Sequence, residues 1–113
     1  MVKHACAVLI DGIHTDIVTN IYKDRVFLII TQYKKFGCMI NVSRESSLKQ
    51  FNSHTYSTEV VFGKDTEEIN AVARYIGEAI DIDRPLLLSL ALKSYEPKTI
   101  KKIIQVINKI KTW

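Results

Sequence analysis

The sequence predicts an α+β domain over residues 1–113, a six-stranded antiparallel sheet in the chain order βββββαβα with two helices on one face. Three observations predict it. Residues 13 to 22 alternate, with Ile13, Thr15, Ile17, Thr19 and Ile21 on one side and His14, Asp16, Val18, Asn20 and Tyr22 on the other, the period of a strand. Two later segments repeat their apolar residues at helical spacing instead: Ile69, Val72, Ala73, Ile76 and Ile80, then Ile100, Ile103, Ile104, Ile107 and Ile110. Turn-forming residues separate the periodic runs.

In chain order, Ala5 to Ile10 is a short apolar strand, and Asp11-Gly12 supplies the positive-φ positions of a tight hairpin into the strand that opens at Ile13. After Lys23-Asp24, the run Arg25 to Thr31 is apolar on both faces, the mark of a central strand covered on both sides. A turn over 32–37 ends in Gly37, and Cys38 to Ser43 reads as a fourth strand continuing a meander. Arg44 to Ser57, with four serines and little apolar periodicity, reads as a long surface loop, and Thr58 to Phe62 as the fifth strand. In Asp65-Thr66-Glu67-Glu68 an N-cap acceptor precedes two acids, which suit the first turn of a helix. Arg84 to Leu92 is a sixth strand with Pro85 at its edge, and Pro97 opens the second helix, where its missing N–H costs nothing.

Composition narrows the function. With 47% hydrophobic and 25% charged residues, the chain is a folded globular domain and not a disordered one. Its apolar runs are far shorter than the ~18 residues of a membrane span, and Asp11 interrupts the first of them before a signal-peptide core forms, so we expect a cytosolic or nuclear location. Cys6 and Cys38 lie in strand-like apolar runs and are expected as reduced, buried thiols. The net charge of +4 is uneven: residues 97–113 hold five lysines and no acid, whereas the rest balances eleven cations against twelve carboxylates.

Several short motifs resemble the proteasome assembly chaperone 3 family. A strand runs into T-Q-aromatic-x-K-x-G at Thr31, Gln32, Tyr33, Lys35 and Gly37. A strand-to-helix junction follows at Thr58, Val60, Val61, Phe62, Gly63 and Asp65, then an R-x-apolar strand from Arg84 to Lys93 and a Trp after the last helix, Trp113. They occur in order from about Gly12 to Trp113. The resemblance implies a chaperone of 20S proteasome α-ring assembly that pairs with a related fourth-type assembly chaperone or with itself, binds proteasome α subunits, needs no cofactor and catalyses nothing.

The residues give an independent reason for a partner. Two helices cover one face of a sheet, yet Phe27 and Ile29 point opposite to Val26, Leu28 and Ile30, and Leu86, Leu88 and Leu90 opposite to Leu87 and Ser89. At roughly 25 cal/mol per Å² of apolar area, a bare apolar face forgoes several kcal/mol, so we expect it to pack on a second sheet. Phe27, Ile29, Leu86, Leu88 and Leu90 are the candidate dimer face. Candidate contacts for other partners are Tyr33, Lys34 and Phe36 on the 32–37 turn and Arg44, Glu45 and Lys49 on the 44–57 loop.

Catalytic and metal chemistry find little support. His4 and Cys6 are the only closely spaced pair of His and Cys ligands, Cys38 has His14 or His54 as conceivable partners only through the fold, and no G-x-S-x-G, HExxH or glycine-rich phosphate loop occurs. The lysine-rich last helix offers a rival reading as a nucleic-acid or acidic-surface module. It has few arginines and no interleaved exposed aromatics, so neither nucleic acid nor membrane is expected as a partner.

Overall fold

The computed structural model describes residues 1–34, 36–46 and 54–113. Strands β1 (Val2–Ile10), β2 (Ile13–Ile21), β3 (Val26–Thr31), β4 (Cys38–Ser46) and β5 (His54–Phe62) are followed by helix α1 (Glu67–Ala79), strand β6 (Leu86–Ala91) and helix α2 (Pro97–Ile110). The six strands form one sheet in the order β1-β2-β3-β6-β4-β5.

The sheet is mixed, not wholly antiparallel: β3 and β6 run parallel, with Leu28 opposite Leu88 and Ile30 opposite Leu90, while all other neighbours are antiparallel. The cause lies in the connections. Hairpin turns reverse a strand, but β6 is reached through α1, and a helical crossover returns the chain in its original direction. β6 therefore runs with β5, against β4, and enters between β4 and β3, which interrupts the expected meander.

Gln32, Tyr33, Lys34, Phe36 and Gly37 belong to an arch over the C-terminal end of β6, between β3 and β4. The Gln32 amide donates to the Ala91 carbonyl at 2.8 Å, and the Gly37 amide to Ser89 Oγ at 3.2 Å. A Cβ on Gly37 would run into the Leu90 carbonyl, so only glycine lets the arch lie this close.

The core sits between the sheet and both helices. Ile17, Val26, Leu28, Ile30, Ile40, Val42, Leu86, Leu88 and Leu90 meet Ile69, Ala73 and Ile76 of α1 and Ile100, Ile103 and Ile107 of α2. Thr66 caps α1, its hydroxyl accepting from the Ile69 amide at 3.1 Å. The far end of α2 is tied to the end of α1, where Lys111 Nζ and Trp113 Nε1 both donate to the Ile80 carbonyl.

Two expected boundaries shift. β1 starts at Val2, three residues early. The described residues of the predicted 44–57 loop are paired strand, because β4 continues to Ser46 and β5 starts at His54, with Arg44 opposite Tyr56 and Glu45 opposite Thr55. Tyr56, Thr58 and Val60 face the helices along this stretch of β5, too mixed a set to show as apolar alternation. Lys49 lies outside the described residues.

Candidate protein-interaction surface

The face of the sheet away from the helices divides by polarity. Over β4 and β5 it carries Asn41, Ser43, Glu45, Ser57 and Glu59, with Ser57 Oγ 3.4 Å from Glu45 Oε1, and beyond them, at the start of β4, Met39 opposite Phe62, which is 67% exposed. Over β1, β2, β3 and β6 it carries Ala5, Ala7, Val18, Phe27, Ile29 and Leu87. Register places these together: Ala5 stands opposite Val18, Val18 opposite Ile29, and Phe27 opposite Leu87.

Phe36 extends the apolar half. It reaches from the arch onto the same face and stacks on Phe27, while remaining 61% exposed. Together with Ala5, Ala7, Val18 and Ile29 it bounds a shallow concavity of about 930 Å³. His14 and Asp16, 2.9 Å apart, and Lys34 supply its polar rim. Leu9, 72% exposed, stands at the corner beside His14.

Phe27 and Ile29 thus belong to the open face, as the alternation of β3 predicted. Leu86, Leu88 and Leu90 do not: they are 1%, 0% and 1% exposed and lie under the helices, in line with Val26, Leu28 and Ile30. The parallel register puts Leu87 and Ser89 beside Phe27 and Ile29 instead. Sequence reasoning missed Leu87, Val18, Ala5 and Ala7 as members of this face. Val18 alone among the even-numbered residues of β2 is apolar, a signal the sequence did contain.

The candidate contacts of the arch and the hairpin do not converge. Tyr33 is half exposed, with Lys93 Nζ 5.7 Å from its ring centre, and Lys34 turns the arch with φ +56°. Arg44 sits six residues along β4 from Cys38, about 20 Å from the arch at the ~3.3 Å rise of a strand. Its guanidinium pairs with Asp81 at 3.5 Å on the helix side, whereas Glu45 belongs to the polar half of the open face.

Burial raises the Cys6 and Cys38 thiols above their ordinary pKa, with Asp16 and Asp65 adding to the effect, so both favour the protonated, unreactive form. Among the described residues, no three His, Cys, Asp or Glu side chains are grouped to hold a metal ion.

Residues 28–110, well over half of the chain, match the family model for proteasome assembly chaperone 3. The chain belongs to that family. A proteasome assembly chaperone 3 from Nematostella vectensis is 31% identical over 115 residues, covering 93% of this chain and 85% of its own. The one from Bos taurus is 23% identical over 105 residues, covering 90% and 86%. Among solved structures, a chaperone complex for yeast 20S proteasome assembly superposes with a TM-score of 0.79 at 12% identity, covering 96% of this chain and 98% of that one. At that identity the likeness shows the fold alone.

Proposed function

We propose that this protein is a non-catalytic chaperone that promotes assembly of the 20S proteasome α-ring, acting as a dimer with a related fourth-type assembly chaperone or with a second copy of itself. The observation that carries the reading is the open half-face formed by Ala5, Ala7, Val18, Phe27, Ile29, Leu87 and Phe36. An apolar sheet face of this kind, rimmed by His14, Asp16 and Lys34, suits packing against a second sheet, with the polar β4–β5 half left for water or weaker contacts. Family membership supports the proteasome as the setting, since the curated relatives carry that role in their names. Thiols kept protonated and reduced suit the cytosol or nucleus, where the protein would act.

Two measurements test this. Light scattering at micromolar concentration should show a homodimer, or a monomer that becomes a heterodimer when the related chaperone is added; a monomer under both conditions removes the dimer. Capture on the tagged protein followed by mass spectrometry should return proteasome α subunits, and their consistent absence removes the proteasome.

A further inference from the structure

The outer surfaces of the two helices have opposite electrostatic character. α1 follows the rule for a stable helix, with Glu67 and Glu68 in its first turn, where carboxylates complement the positive end of the helix dipole. α2 breaks it. Its first turn holds no acid, the side chain of Glu96 makes no capping bond, and Lys98 occupies the turn where a cation is least favourable.

Like charges compound this. Lys98 lies three residues from Lys101 and four from Lys102, spacings at which side chains on a helix are neighbours and equal charges repel. Lys98, Lys101, Lys102 and Lys109 are all exposed, and Lys98, Lys102, Gln105 and Lys109 follow one another along one face for about 16 Å at the 1.5 Å rise of a helix. Asp11 accepts from Lys102; among the described residues, no carboxylate lies within ion-pair distance of Lys98, Lys101 or Lys109. A local rule broken with Asp11 as the one compensating acid among the described residues marks a surface shaped by something other than folding.

We infer that the lysine face of α2 is a docking surface for an acidic segment of a protein client. The inference rests on the reading of this chain as a chaperone for protein subunits, and it uses a surface on the side of the molecule opposite the proposed dimer face. Charge complementarity selects the occupant. Lysines without interleaved aromatics or arginines offer mobile point charges, which suit carboxylates spread along a peptide better than the planar, stacked contacts of a nucleic acid. The acids on α1 would repel the same client and so orient it along α2.

The test uses the full chain and three defined probes: a labelled 12-residue glutamate-rich peptide, a DNA duplex of equal charge, and phosphatidylserine vesicles. Wild type should bind the peptide most tightly, with an affinity that falls as salt rises. The variant K98E/K101E/K109E should bind it at least tenfold more weakly, yet dimerise as before and melt close to wild type, because what a glutamate gains near the positive end of the helix dipole at 98 offsets what one loses near the negative end at 109. The control K3E/K23E/K64E, with the same change of net charge off the helix, should bind the peptide like wild type. Equal loss in the control, no binding by wild type, unchanged binding by the α2 variant, or tighter binding to DNA or vesicles each overturns the proposal. These readouts do not involve α subunits, so failure of the proteasome capture described above would remove the proposed function while leaving this result to be judged by itself.

Discussion

The Phe36 ring lies stacked on Phe27, with centroids 6.1 Å apart and planes 13° from parallel. A turn aromatic has folded back over a strand, yet most of its surface still meets solvent. In the monomer the stack is worth about 1 kcal/mol. If the open face packs on a second sheet, the same ring becomes part of a buried anchor, where truncation costs about 2 kcal/mol or more. Phe36→Ala should therefore lower monomer stability slightly but raise the dimer dissociation constant more than tenfold, read by denaturant titration and by light scattering across a dilution series. Equal effects on both would mean that Phe36 lies outside the interface.

The two faces of β6 predict contrasting substitutions. Leu88 is fully buried between the sheet and the helices, and Leu88→Ala should cost about 2–5 kcal/mol of unfolding free energy. Leu87, one residue earlier, is only partly covered in the monomer, so Leu87→Ala should cost far less there and act mainly on association. Chemical denaturation of both variants below the dimer dissociation constant separates the two effects.

That contrast also shows where the sequence was legible. Periodicity identified β2, β3, both helices and the central character of β3 and β6, because each signal lies within one segment. Placing Leu86, Leu88 and Leu90 on the face opposite Phe27 needed the register between β3 and β6, which lie more than fifty residues apart and run parallel only because α1 intervenes. No local pattern carries that information. The arch is a similar case: Gly37 read as a turn former, but its packing against the Leu90 carbonyl is a contact between distant segments. The family resemblance was legible through the order of weak motifs, whereas the apolar half-face emerged only once the four strands lay side by side.

Gly37 makes its own prediction. Any side chain there must push the arch off the end of β6, breaking the bond from the Gly37 amide to Ser89 Oγ and tilting Phe36 away from Phe27. Overpacking of this kind costs about 1–3 kcal/mol. Gly37→Ala should destabilise by that amount and weaken dimerisation as well, whereas Gly12→Ala, at a position with open space and φ +77°, should cost only its backbone strain and leave association unchanged. Thermal melts paired with light scattering distinguish them.

Asp11 ties the β1–β2 turn to α2. It sits at φ +53°, and its carboxylate accepts from Thr99 Oγ1 at 2.7 Å and from Lys102 Nζ. The Lys102 bond, with the Thr99 bond second, holds the Asp11 carboxyl below its ordinary pKa. A carboxyl whose pKa is lowered by folding binds its proton more readily in the unfolded chain. Its contribution is therefore fully present above the unfolded value of about 4 and fades as pH falls toward the lower folded one. Asp11→Asn should reduce stability at neutral pH and lose less stability than wild type as pH drops from 5 to 2, so that the two acid-denaturation curves converge. The substitution also removes the only acid within ion-pair reach of the α2 lysines among the described residues, and so should not weaken binding of the glutamate-rich peptide. Parallel curves for the two proteins from pH 5 to 2 would show that the turn is held to α2 by packing alone.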